Sequence, residues 1–280
     1  MGADKEGVRT GSPLIQVAKA VAAALVVTLG VTATSLSSAG AAVRPHSFRM
    51  TLAKSIPPSP VFLVKGVCGT SRPNDTAACT AMVIKAIDNA RKSEPLPKVP
   101  GSFSVSGFDA LSPAEQIFAI ADIERTARGL LPIEGLTAQL NGVALTAARD
   151  QNDPSIPLPL RLSGGGLSYY YGSNFAEGTA DPIGANYFWM YDDGLDSPNA
   201  DCTTKHTKGC WGHRKNVLGD YNDVNYCPRG SAVNTVMGAA EVTSGVLYSP
   251  SITEIFVNDC GALPTMDFTW PDVQKLVFGR

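Results

Sequence analysis

The chain has 280 residues, 44% of them hydrophobic and 17% charged. That suits one sizeable globular core with extensions. A net charge of −2 excludes a general nucleic-acid footprint and a polybasic membrane binder.

The first residues have the pattern of a signal peptide over 1–41. Lys5, Arg9 and Lys19 precede an apolar run from Val21 to Val31, and a small-residue stretch ends in Ala39-Gly40-Ala41. A retained anchor is the alternative, but the run is short for a span and is interrupted by Thr28, Gly30 and Thr32. Cleavage after Ala41 leaves a secreted, extracellular chain of net charge −3.

Residues 42–106 form a proline-rich N-terminal extension, bounded by Pro57, Pro58 and Pro60 on one side and Pro95, Pro97 and Pro100 on the other. Between them, helical spacing predicts one short helix over Thr76 to Lys92, with Asp75 as its cap.

The main domain is expected over 107–262. Ser112-Pro113-Ala114-Glu115 is a capping box with proline at the first helical position. Ile117, Ile120, Ala121 and Ala127 follow as a buried stripe, and Gly129 stops the helix. Glu124 and Arg128 are spaced to pair on a helix surface. A second helix is predicted from Leu136 to Arg149, then a loop to Leu167 carrying Gly164-Gly165-Gly166. Tyr169-Tyr170-Tyr171 reads either as a ligand-facing lip or as an edge strand leading into Ser173.

Asp181-Pro182 begins a third helix that reaches Asp192, with Gly194 ending it. Residues 195–212 are a polar, cysteine-bearing surface loop. Thr235 to Thr243 and Ser251 to Asp259 read as strands of an antiparallel meander. Helices flanking such strands give an α+β fold. Residues 263–280 are read as a C-terminal tail.

The six cysteines are Cys68, Cys79, Cys202, Cys210, Cys227 and Cys260. In an exported chain an even number reads as three disulfides, with about 15 possible pairings. Proximity predicts Cys68–Cys79, Cys202–Cys210 and Cys227–Cys260.

Several strings, taken in order, resemble the CAP superfamily of cysteine-rich secretory, antigen 5 and pathogenesis-related proteins (SCP-like extracellular domains), in its bacterial secreted branch. They are Ile123-Glu124-Arg125 with Arg128-Gly129-Leu130 and Pro132; Ser173-Asn174-Phe175-Ala176-Glu177-Gly178; Trp189; Gly212-His213-Arg214-Lys215-Asn216-Val217-Leu218; and Met237-Gly238. The resemblance covers about Ser112 to Gly261. It implies a three-layer α-β-α sandwich with an antiparallel sheet.

Family members often hold two histidines and two acids in a central cleft, a set able to bind a divalent metal such as zinc. His213 matches the histidine of the Gly-His motif. Asp192 matches one acid, shortened by a methylene, and Ser173 stands where glutamate usually precedes Asn174. No histidine lies between His46 and His206 to supply the second imidazole. The expected cleft is therefore His213, Asp192, Ser173, Asn174 and Trp189, without a resident cofactor.

Each candidate has a plainer reading. His213 can be a structural histidine donating to a backbone carbonyl under Trp211, and Asp192 the exposed end of a helix beside Asp193. Cys202, His206, Cys210 and His213 offer a zinc set, but export favours a disulfide-closed loop. A Cys210–His213 thiolate pair requires a free cysteine. A Ser173–His213 pair is the remaining nucleophile candidate, since no Gly-x-Ser-x-Gly elbow is present.

The resemblance implies a secreted binding module for an apolar small molecule, an envelope component or an extracellular protein; some family members bind sterols or other lipids. The alternatives are a hydrolase or metal-dependent enzyme using the His213/Asp192/Ser173 cleft, and a purely structural extracellular module. No nucleic acid and no stable membrane span are expected.

Overall fold

The computed structural model describes residues 49–63, 68, 76–219 and 227–280. The signal peptide, His46 and the Asp75 cap lie outside the described residues. The described elements are, in chain order, α1 (Thr76–Arg91), α2 (Val105–Asp109), α3 (Pro113–Ala127), β1 (Gly135–Leu136), α4 (Ala138–Asp150), β2 (Leu160–Arg161), β3 (Leu167–Glu177), α5 (Pro182–Tyr191), α6 (Gly212–Leu218), β4 (Val233–Val242), β5 (Ser251–Cys260), β6 (Phe268–Thr269) and α7 (Trp270–Phe278). None of the described helices is long and apolar enough to cross a membrane.

Local chemistry sets the helix ends. At α3 the Glu115 amide donates to Ser112 Oγ (3.4 Å) and the Ser112 amide to Glu115 Oε2 (2.7 Å), the reciprocal capping box read from the sequence. Gly129, at φ +69°, follows its last turn. Helix α4 starts later than the periodicity implies. Leu136 belongs to β1, and Thr137 caps the helix by accepting from the Leu140 amide.

The fold is α+β, with a sheet in the order β2-β3-β5-β4-β1-β6. The sheet is mixed rather than antiparallel. β3, β5 and β4 pair antiparallel, but β1 runs parallel to β4, with Leu136 beside Met237. A two-residue strand directly before a helix cap carries no period of its own, so the sequence did not expose it.

Alternate residues of the long central strands enter different clusters, as a pleat requires. Met237, Ala239, Ile252 and Phe256 join the main core with residues of α1, α3, α5 and α7. Val236, Ile255 and Val257 pack with Leu140 of α4. Helix α1 supplies Val83, Ala86 and Ile87 to the main core, so part of residues 42–106 is built into it. Residues 263–280 form β6, paired with β1, and α7, whose Val273 and Val277 are fully buried. Three disulfides join Cys68–Cys79, Cys202–Cys210 and Cys227–Cys260, the pairs that proximity predicts.

Beneath this core lies a buried charged network. Glu124 meets Arg91 at 3.1 Å and Arg128 at 2.5 Å, and accepts from the Tyr191 hydroxyl at 2.7 Å. Glu94 accepts from Arg128 and Arg214. The Glu124–Arg128 pair has the spacing expected of it, yet it is in the core rather than on a surface. Arg214 also donates to the carbonyls of Arg49, Met50 and Met190. It thereby clamps the start of the described chain to the end of α5.

Gly238 marks the closest approach of α4 to the sheet. A Cβ there would overlap the Leu140 carbonyl group and the Asn141 amide nitrogen. The helix has little freedom to retreat, because Asn141 Oδ1 accepts from the Ala239 amide at 3.0 Å. Gly238→Ala is expected to lower the unfolding free energy by about 3 kcal/mol, the upper end of overpacking costs. Urea denaturation measures this, and a loss below roughly 1 kcal/mol is incompatible with so close an approach.

Candidate functional site

Helix α5 is fixed at its start by Asp181, whose Oδ1 accepts from the Gly184 amide at 2.8 Å, and by Pro182 at the first helical position. It ends at Tyr191, so Asp192 and Asp193 leave the helix in different directions. The loop that follows is closed by Cys202–Cys210 and laced by Asn199, whose Nδ2 reaches Asp193 Oδ1 (2.6 Å) and the carbonyls of Asp193 and Gly209.

Trp211 then adopts a left-handed backbone at φ +63°, a costly conformation for a bulky residue. Its amide donates to the Asp193 carbonyl at 2.9 Å, and its ring lies against Gly194, where a Cβ would collide with it. This turn starts α6 and brings His213 to Asp193.

The His213 Nδ1–Asp193 Oδ1 distance is 2.6 Å. The second carboxylate oxygen accepts from the Arg214 amide at 3.2 Å. Asp193 is 1% exposed and fully engaged, so it fixes the imidazole plane. Burial disfavours the charged imidazole, but the hydrogen bond and charge of Asp193, helped by Asp153 and Asp201, outweigh it and raise the His213 pKa.

The sequence pointed to Asp192 or Ser173 as the partner of His213, or to a backbone carbonyl; the partner is Asp193. Two adjacent aspartates are indistinguishable until the last residue of the helix is known. Asp192 nonetheless lines the same cleft. It is 5% exposed, its Oδ1 has no hydrogen-bond partner among the described residues, and burial with the neighbouring Asp193 charge pushes its pKa up to about 6. It is therefore no exposed helix end.

Ser173 lies on β3 and makes no hydrogen bond with His213, whose partners are Asp193 and Asn174. Its neighbour Asn174 points toward α6, donating to the His213 carbonyl (3.1 Å) and to Glu254 Oε1 (2.7 Å). The pleat therefore turns the Ser173 side chain to the other face, the face of its register partner Ile255. The tyrosines Tyr169–Tyr171 belong to β3, as the strand reading had it.

β2 pairs only with Leu167 and Ser168, which leaves the rest of that β3 edge without a strand among the described residues. The edge carbonyls of Ser173 and Phe175 are instead taken by Asn216 Nδ2 (2.7 Å) and Trp189 Nε1 (3.2 Å). Side chains that occupy edge carbonyls blunt strand addition. Trp189 and Asn216 are thus structural neighbours of the site.

A cavity of about 450 Å³ opens here. His213, Asp192 and Asp193 form one wall, Phe188 and Trp189 contribute aromatic surface, and Phe175 borders it. Asp153, Glu177 and Asp201 also line it, all three exposed at its rim. Glu177 ends β3, whereas Asp153 and Asp201 come from separate loops, so no local pattern joins the three.

The zinc set does not assemble. Cys202 and Cys210 are bonded to each other, and no group of three histidine, cysteine or acidic residues among the described residues is placed to share a metal ion. The residues present do not fit the divalent metal that the resemblance implies, and no chemistry is routed through one. The disulfide also removes the Cys210 thiolate. Among the described residues the lining contains neither serine nor cysteine.

No protein-family model, no curated protein and no solved structure matches the chain. What defines its class is the α+β fold, with the Asp193–His213 pair set in an acidic, aromatic cleft.

Proposed function

We propose that the chain is a secreted binding module of the CAP superfamily, a three-layer α-β-α domain whose cleft receives a small extracellular molecule. The motif order in the sequence supports the family reading. So does the division of the strand side chains between two helix-covered clusters. The three disulfides are compatible with an oxidising compartment.

The observation that carries binding over catalysis is the composition of the cleft wall. An anchored imidazole faces a cavity of ligand size, with no serine or cysteine nucleophile in its lining among the described residues. The Asp193–His213 pair favours a second reading, a hydrolase in which His213 activates water. Ser173 has no part in it.

The test is capture. The mature chain is incubated with envelope and lipid extracts, and retained molecules are identified by mass spectrometry. Ala200, exposed on the cleft wall, is replaced by tryptophan to fill the cavity. The wild type is expected to retain a species that Ala200→Trp loses. Enrichment of nothing, or equal enrichment by both, overturns the reading.

A further inference from the structure

The charge of the cleft is one-sided. Asp153, Glu177, Asp192, Asp193 and Asp201 line it, whereas no lysine or arginine does among the described residues. Among the described residues of the lining His213 is the one basic group, and its Nδ1 is already committed to Asp193. Acidic residues alone do not make a site. Here two buried polar atoms of the lining lack hydrogen-bond partners among the described residues, Asp192 Oδ1 and Thr179 Oγ1. Their residues are only 5% and 7% exposed. A buried carboxylate oxygen left without a donor is costly unless a ligand supplies one.

The apolar part of the lining selects further. Phe188 and Trp189 offer aromatic surface, which favours an apolar body and attracts a cation to a ring face. A metal ion needs several ligands converging on one point, and these carboxylates do not converge. A neutral lipid without an O–H or N–H donor would leave Asp192 Oδ1 unpartnered, a neutral hydroxyl would not offset the acidic charge, and an organic anion would be repelled.

We infer that the cleft is a site for an organic ammonium ion with an aromatic or other apolar body, its N–H groups donating to Asp192 Oδ1 and Thr179 Oγ1. The rim acids Asp153, Glu177 and Asp201 steer the cation inward, and His213, held by Asp193, closes the polar wall. This rests on the reading of the cleft as a ligand seat and names the chemistry of what enters it.

The experiment uses the mature chain and three probes: 2-phenylethylammonium, its anionic counterpart 3-phenylpropanoate, and zinc chloride. Calorimetry measures affinity, and NMR of the His213 ring reports occupancy of the cleft. The ammonium probe is expected to saturate, to shift the His213 signals, and to weaken as ionic strength rises. Asp192→Asn is expected to cost roughly tenfold or more in affinity, and exposed Asp201→Asn roughly two- to threefold. The second variant covers the case in which a change at buried Asp192 disturbs folding.

Saturation by the ammonium probe that neither variant weakens, equal binding of cation and anion, or stoichiometric zinc in place of the ammonium overturns the inference. If the anion alone shifts His213, the cleft is still a ligand seat and only the ammonium assignment fails. If no probe shifts His213 and the capture experiment is also negative, both readings fail together.

Discussion

Replacing Glu124 by alanine is expected to lower the unfolding free energy by about 3–5 kcal/mol, the cost of leaving buried charges unpaired. Glu124 is fully buried, is the counter-charge of Arg91 and Arg128, and accepts from Arg128 and the Tyr191 hydroxyl. Its removal leaves two guanidinium groups, each about 1% exposed, without their central counter-charge. Glu94 cannot take over, since it already serves Arg128 and Arg214.

The carboxylate is so well held that its pKa falls to about 2. Burial opposes ionisation, but the charges of Arg91 and Arg128 and the hydrogen bonds from Arg128 and Tyr191 outweigh it. Its stabilisation is therefore present above the ordinary glutamate value and is lost as pH falls toward 2. Glu124→Gln keeps the shape and one acceptor oxygen and is expected to lose less than alanine. Urea unfolding at neutral pH compares the three proteins. An alanine variant within roughly 1 kcal/mol of wild type contradicts the network's role.

The spacing of Glu124 and Arg128 was legible as a pair, but its depth was not. Depth depends on Arg91 and Glu94, about thirty residues earlier at the end of α1, and on Tyr191 at the end of α5. Periodicity locates each helix; it does not say that three helix ends converge on one carboxylate. The same limit explains the site. His213 was legible as a scarce imidazole behind a special turn, whereas Asp193 was hidden beside Asp192. Only the termination of α5 at Tyr191 decides which aspartate turns toward α6.

Ser173 was misplaced for a related reason. The resemblance put it in the cleft, at the position where a glutamate usually precedes Asn174, yet in a strand adjacent side chains take opposite faces. By contrast the capping box of α3, the start of α5 at Asp181-Pro182 and the two central strands were readable from local chemistry alone. Each depends on residues within a few positions of one another. The parallel pairing of β1 depends on a contact with β4 about a hundred residues later, so no local signal carries it.

The pH response of the fold follows from the opposite kind of carboxyl. Glu254 is fully buried on β5, next to the Asn174 that holds the His213 carbonyl, and burial pushes its pKa up to about 8 against the opposing hydrogen bond from Asn174. Its Oε2 has no hydrogen-bond partner among the described residues. Below the ordinary glutamate value both the folded and unfolded chains carry the proton, and the group is neutral in its effect. Above that value the unfolded chain ionises while the folded chain keeps its proton, so stability falls as pH rises toward 8. Glu254 alone removes about 1.4 kcal/mol per pH unit through this window, or roughly 4–5 kcal/mol across it. Glu241, raised by burial to about 7, and Asp181 and Asp192, each raised to about 6, act in the same direction. The protein is therefore expected to be more stable at pH 5 than at pH 8. Glu254→Gln keeps the acceptor for Asn174 and removes the ionisation. It is expected to unfold at higher urea than wild type at pH 8, to match it near pH 4.5, and to flatten the pH profile between them. Parallel profiles for the two proteins mean that Glu254 ionises in the folded state as freely as in water, and that the ground beneath His213 is wetter than its packing implies.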